Sequence, residues 1–176
     1  MVELPFAQSG DLEVRRLARA DAHAVLDVYC QCEDFLALGP EARASMTMVR
    51  ADMETSRREN GVFCGIYKRG RMIGIADFIP NGFDGRSDAG FISLLMIARP
   101  FRGQGSGSEV AGLIERQVQR DYEVTCMRTA VQVNNLAAVR FWQNRGYKII
   151  AGPESQPDGT TVFHLEKELS REKRKR

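Results

Sequence analysis

Apolar residues change their spacing repeatedly along this chain, and each change marks an element. "LEVRRLA" (12–18) alternates and predicts a first strand. From 19 to 38 the apolar positions Ala24, Val25, Val28, Tyr29 and Cys32 fall at helical spacing, with Asp21 as N-cap and Gly39 and Pro40 as the stop. A second helix is predicted over 41–59, ended by Asn60 and Gly61. Two β-rich runs within 61–80 join at "KRGR" as a hairpin, and 81–90 is a polar loop. "FISLLMI" (91–97) is almost unbroken apolar sequence, as in a strand covered on both faces. Helical spacing returns at 108–122 with Val110, Leu113, Ile114, Val118 and Tyr122 in one stripe. A strand (123–133), a helix (136–145) ended by Gly146, and two strands (147–152 and 160–169) around the loop "PESQPDG" complete the order β-α-α-β-β-β-α-β-α-β-β. The unit from Phe91 to Val133 is a strand-helix-strand crossover, which places two parallel strands inside a mixed sheet.

Composition narrows the reading. Hydrophobic residues at 43% and charged ones at 27% match a folded water-soluble chain, and 176 residues give one domain, 1–170, with a basic tail at 171–176. A net charge of +2 gives no general attraction to nucleic acid. The tail "REKRKR" has no interleaved aromatics and reads as a solvated end, so nucleic acid is not an expected partner. No apolar run reaches membrane-span length and the first residues lack a signal-peptide layout, so no membrane partner and a cytoplasmic location are expected. Cys30, Cys32, Cys64 and Cys126 are scattered, as are His23 and His164. No metal is expected, and the thiols read as free and buried, with Cys30 and Cys32 on different helix faces.

The stretch "LMIARPFRGQGSGSE" (95–109) is the informative one. An apolar strand breaks into a basic turn with Gly103, Gly105 and Gly107, and a helix follows. The first turn of a helix leaves N–H groups unpaired at the positive end of its dipole, and glycine lets the backbone approach an anion closely. Arg102 adds a positive charge. A P-loop requires GK[ST] after its second glycine, and none follows. A G-x-G-x-x-G fingerprint also fails, since its last position falls on Ser108 or Val110.

"RGQGSG" (102–107) resembles the R/Q-x-x-G-x-G/A loop of the GNAT superfamily, the acyl-CoA-dependent N-acyltransferases. "NLAAVRFWQNRGY" (135–147) is similar to that family's N-x-x-A-x-x-F-Y-x-x-x-G-F helix, and the two motifs stand at the expected separation. The resemblance implies a mixed α/β GNAT fold, a central splayed sheet of about six to seven strands flanked by about four helices. It implies acetyl-CoA as acyl donor, with its pyrophosphate on the amides of Arg102, Gly103, Gln104, Gly105, Ser106 and Gly107. Leu95, Met96 and Ile97 would pair with the pantetheine arm like an added strand, and an N–H near Ile97 would polarise the thioester carbonyl. Asn135 would touch the cofactor arm, although an N-cap role explains it equally well. Phe141 reads as core.

The implied acceptor is a primary amine on a small molecule or a protein. At pH 7 an alkylammonium with pKa near 10.4 must lose a proton at a cost of about 4.6 kcal/mol, which asks for a base. Asp77, before the central strand, and Asp88, at its start, are the candidates. Glu33 and Asp34 would attract a cationic acceptor, and Glu109 complements a helix dipole. The family often has tyrosine beside the departing thiolate, where this chain has Trp142, a donor that cannot act as an acid. Tyr147 stands later, at a packing position. A CoA-binding sensor without turnover is the competing reading, and a homodimer is compatible with either.

Overall fold

A computed structural model describes residues 6–170, so the predicted tail lies outside the described residues. Eight strands form one sheet: β1 (Ala7–Ser9), β2 (Leu12–Arg16), β3 (Val62–Lys68), β4 (Arg71–Ile79), β5 (Ala89–Ile97), β6 (Cys126–Gln132), β7 (Lys148–Ser155) and β8 (Thr161–Glu168). Their spatial order is β1-β2-β3-β4-β5-β6-β8-β7, antiparallel throughout except for the β5–β6 pair. The helices are α1 (Ala22–Cys30), α2 (Glu33–Leu36), α3 (Met46–Arg58), α4 (Ser106–Tyr122) and α5 (Leu136–Asn144).

The predicted order holds, with local corrections. β1 was not expected; three residues carry too little pattern to be seen, and pairing with β2 defines the strand. The first helix breaks at Gln31–Cys32 and resumes as the short α2. Asp21 makes no side-chain cap on α1, because its carboxylate accepts from the Ala18 N–H at 2.7 Å, one turn earlier. α3 starts at Met46, where the Ser45 hydroxyl accepts from the Met48 N–H, so 41–44 are not helical. β7 runs on to Ser155, into what the turn residues suggested was loop. The β3–β4 hairpin closes through Arg69 and Gly70, both at positive φ, as the tightest hairpins require.

The sheet separates two cores. On one face α4 and α5 cover Val14, Ile66, Ile73, Phe78 and Ile92, and the predicted α4 stripe is buried at Val110, Leu113, Ile114 and Val118, with Tyr122 half-buried. On the other face α1 and α3 cover Phe63, Ile75 and Met96 with Val25, Val28, Tyr29 and Val49. Each such buried side chain contributes about 1.5–3 kcal/mol, so both faces are fixed before any polar contact is counted. Cys32, Cys64 and Cys126 are buried thiols as expected, whereas Cys30 is exposed.

Candidate active site

The site begins with a defect in the sheet. β5 and β6 pair only from Ala89↔Cys126 to Ile92↔Thr129, although β5 continues to Ile97. At the next residue the β4–β5 register shifts, with Asp77 opposite Leu94 and Phe78 opposite Ile92, leaving Ser93 as an extra residue. Such a bulge bends its strand and increases its twist, and here it turns β5 away from β6. The Thr129 hydroxyl donates to the Ile92 carbonyl at 2.9 Å, at the apex of the fork.

Beyond the apex one edge of β5 is open. Ala98 N–H donates to Ile73 on the β4 side at 2.8 Å. Alternation along an antiparallel strand then directs the N–H and C=O of Ile97 and Leu95 toward the gap. A cleft of about 530 Å³ follows this edge, lined by Leu95, Met96, Ile97, Phe101, the 102–108 turn without Gln104, and Asn135, Ala138, Phe141 and Trp142 of the α5 region.

Gly103 and Gly105 have φ of +74° and +79°, so the turn itself needs glycine at both. Gly107 differs. It is helical, and a Cβ there would meet only Ile97 and Phe141 at 3.7 Å, inside the cleft. α4 starts at Ser106, and Glu109 N–H is the first to find an intrahelical acceptor, Gly105 C=O at 3.0 Å. The N–H groups of Ser106, Gly107 and Ser108 therefore present the anion-binding end of a 17-residue helix to the cleft.

Arg102 sits otherwise than its charge suggested. Its Nε donates to the Ile97 carbonyl at 2.7 Å, and its two terminal nitrogens hold Asp34 at 2.5 and 3.0 Å. The pair keeps the Asp34 carboxyl below the ordinary carboxylate range. Asp34 is thus matched by Arg102 and is not an open attractor for a cation. Glu33 is likewise held, by Arg43 at 2.9 Å and the Ala44 N–H at 3.1 Å. Gln104 is exposed and donates to the Pro100 carbonyl at 3.5 Å. Asn135 caps α5, its Oδ1 accepting from the Ala138 N–H at 3.0 Å, which leaves the amide NH₂ at the cleft wall.

The two candidate bases are separated by the structure. Asp88 lies before β5, at the far end from Ile97, roughly 30 Å along the strand. It is half-buried, paired with Arg86 at 3.1 Å and with the Thr125 hydroxyl at 3.0 Å, and Arg86 holds its carboxyl low. Its placement takes it out of the cleft. Asp77 lies beside the bulge, on the α1–α3 face. Its carboxylate accepts from Ser56 at 2.6 Å and from the extra residue Ser93 at 2.8 Å, and burial raises its pKa. Nearby, Tyr29 donates to Asp52 at 2.8 Å, and burial raises that carboxyl as well. Tyr29, Asp52, Ser56, Asp77 and Ser93 form a half-buried polar seam that sequence reading found only at Asp77. A signal existed: Asp52 and Ser56, four apart on α3, sit in the same helix turns as the buried Val49.

Trp142 is buried, edge-on to Phe141 at 5.0 Å and to Tyr147 at 4.9 Å. Tyr147 donates to the buried Glu115 at 3.0 Å, away from the cleft. No tyrosine lines the cleft among the described residues.

Residues 23–147 match the Acetyltransferase (GNAT) family, and the chain belongs to that family of acetyltransferases. Among solved structures, an acetyltransferase from Thermus thermophilus is 19% identical, with a TM-score of 0.75 over 91% of this chain and 98% of its own. The RimL ribosomal L7/L12 alpha-N-protein acetyltransferase is 16% identical, with a TM-score of 0.76 over 94% of each chain. YncA from Salmonella typhimurium, solved with its cofactor acetyl-CoA, is 16% identical, with a TM-score of 0.65 over 93% of this chain and 97% of its own. The fold is shared with all three. No curated protein matches the sequence. Among the described residues no group of three or more His, Cys, Asp or Glu could hold a metal, and no helix is long and apolar enough to cross a membrane.

Proposed function

We propose that this protein transfers the acetyl group of acetyl-CoA directly to a primary amine. The observation that carries the reading is the open edge of β5 after Ile92, running through a glycine turn into the first turn of α4. A cofactor with an amide-bearing arm and a pyrophosphate fits these residues. The gap-facing groups of Leu95 and Ile97 would pair with the arm, and the amides from Gly103 to Ser108 would hold the phosphates. Asn135 would add its free NH₂ along the arm. When bound, acetyl-CoA supplies an activated acyl group.

The chain's own residues then have defined tasks. An N–H fixed on a strand, at Ile97, is aimed before negative charge grows on a carbonyl oxygen and needs no reorganisation to stabilise it. Asp77 takes the ammonium proton, directly or through a water. Its raised pKa brings it nearer to neutrality, where a base works best. No side-chain acid is required for departure of a thiol of pKa near 8.5, since expelling the thiolate at pH 7.5 costs about 1.4 kcal/mol.

The acceptor is an amine of a small molecule or of a protein. Buried free thiols suit a reducing, cytoplasmic setting. The cleft without tyrosine favours one second reading, a CoA-binding sensor. Incubation with acetyl-CoA and a panel of amines, reading free thiol, separates the two: amine-dependent release is expected. Binding of acetyl-CoA with no release across small amines and peptide N-termini would leave the sensor.

A further inference from the structure

The two family motifs meet at a part-buried ionic network that runs along α4 from its first turn at Ser108 to Glu115. Arg145, just after α5, lies along α4 over the stripe Ser108, Gly112 and Glu115. One terminal nitrogen donates to the Ser108 carbonyl at 2.6 Å and to the Ser108 hydroxyl oxygen at 2.7 Å. The other donates to Glu115 at 3.1 Å. A Cβ at Gly112 would come within 3.4 Å of that second nitrogen, so the glycine leaves the guanidinium its track. Glu115 is 6% exposed and also accepts from Lys167 at 2.6 Å. Two cations, Arg145 and Lys167, face that one carboxylate, and the Arg116 guanidinium lies alongside at Gly112, so positive charge is in excess along this side of α4.

A hydroxyl has one proton and two lone pairs. With a guanidinium on its oxygen, the Ser108 proton is repelled away from the cation, and Ser108 lines the cleft. We infer that Arg145 is a positioning residue for phosphate binding: it turns the Ser108 hydroxyl into a fixed donor to the pyrophosphate and adds its charge from behind the helix. Ser108 thereby joins the main-chain amides as a side-chain ligand. The inference rests on the donor reading proposed above. A guanidinium is suited to this because its planar fork reaches Ser108 and Glu115 at once; lysine would keep the charge and lose the fork.

The test is binding of CoA by calorimetry, beside binding of S-acetylpantetheine, which lacks the phosphates, followed by NMR. Ser108→Ala, at an exposed position, should weaken CoA about tenfold, the worth of a hydrogen bond to a charged group. Arg145→Met should weaken it at least as much, and Arg145→Lys less. Arg145→Met should add little in the Ser108→Ala background, because the two act as one unit. S-acetylpantetheine should bind all variants alike. Unchanged CoA affinity in Ser108→Ala overturns the inference. So does equal weakening of CoA and S-acetylpantetheine, which would mark a general loss of structure. If Arg145→Met fails to fold, Ser108→Ala and Arg145→Lys decide. Wild-type protein that binds no CoA would instead overturn the donor reading, and this inference with it.

Discussion

The two sides of the splay are made of different material. On the donor side the groups aimed into the cleft belong mostly to the main chain: the free edge of β5 and the first amides of α4. On the side of α1 and α3 the polar groups are side chains, set beside the bulge and not among the residues that line the cleft: Asp77 between Ser56 and Ser93, with Tyr29 and Asp52 behind. Main-chain donors are placed by secondary structure and tolerate many side chains. A seam of carboxylates and hydroxyls depends on each residue's identity. In the function proposed above, the first arrangement suits the phosphate arm of acetyl-CoA and the second suits an amine acceptor. Substitutions should accordingly act by shape and charge on the donor side, and by chemical identity on the acceptor side.

The largest effect should come from filling the donor side. Gly107 is helical with room for a Cβ, so Gly107→Glu should fold, whereas at Gly105 the positive φ would strain any side chain. The new carboxylate would face the anion site. Acetyl-CoA at a hundred times its dissociation constant should raise wild-type stability by about 2.7 kcal/mol. For a chain of this size that is a shift of about 5–10 °C in melting temperature, which Gly107→Glu should abolish. A mutant that keeps the shift would refute the cradle.

Next in size is Asp77→Asn. Turnover near pH 7 should fall about 10²- to 10⁴-fold, with CoA affinity unchanged, and the deficit should shrink at alkaline pH as more amine is already neutral. Stability should move the other way. Because burial raises the Asp77 pKa, its ionised form costs stability once pH rises through that folded-state value. Asn should therefore raise the melting temperature at neutral pH, and the gain should vanish as pH falls below about 4, where both states are protonated. Asp88→Asn should leave turnover intact. Loss in Asp88→Asn with none in Asp77→Asn would reverse the assignment.

The same contrast explains what the sequence disclosed. Glycine spacing after an apolar run betrays a main-chain site, because left-handed residues such as Gly103 and Gly105 need glycine almost regardless of fold. The α4 stripe and the hairpin were legible for similar local reasons. The seam was not, because Ser56 and Ser93 acquire meaning only when α3 crosses β4 and a bulge adds a residue to β5. The Arg102–Asp34 pair spans 68 residues, and no local pattern announces it. Asp88 misled because nearness in sequence to the central strand does not say which end of it carries the cleft.

Trp142 tests whether the donor side needs any side-chain chemistry. Its ring packs between Phe141 and Tyr147 and offers no acid. Trp142→Phe should lose about 1–2 kcal/mol of stability from the smaller ring, while turnover stays within about tenfold. A folded variant that binds acetyl-CoA but loses several orders of magnitude in thiol release would show that the indole takes part in the reaction.

The smallest effect should have the opposite sign. Arg102 and Asp34 join the glycine turn to α2, and the Arg102 Nε occupies the Ile97 carbonyl that a pantetheine amide would need. Asp34→Asn removes the bidentate hold on Arg102 and also a negative charge near the phosphate site. Both changes favour CoA. An exposed ion pair is worth at most about 1 kcal/mol, so calorimetry should find CoA bound up to about fivefold tighter. The gain should shrink as salt is added, since both groups are partly exposed. It should be constant between pH 6 and 8: the pair depresses the Asp34 pKa, so its contribution is present above the ordinary carboxylate range and lost only as pH falls through the lower folded-state value. Weaker binding of CoA to Asp34→Asn would mean that the pair prepares the donor side for its ligand, and that the two sides of the splay are not built independently.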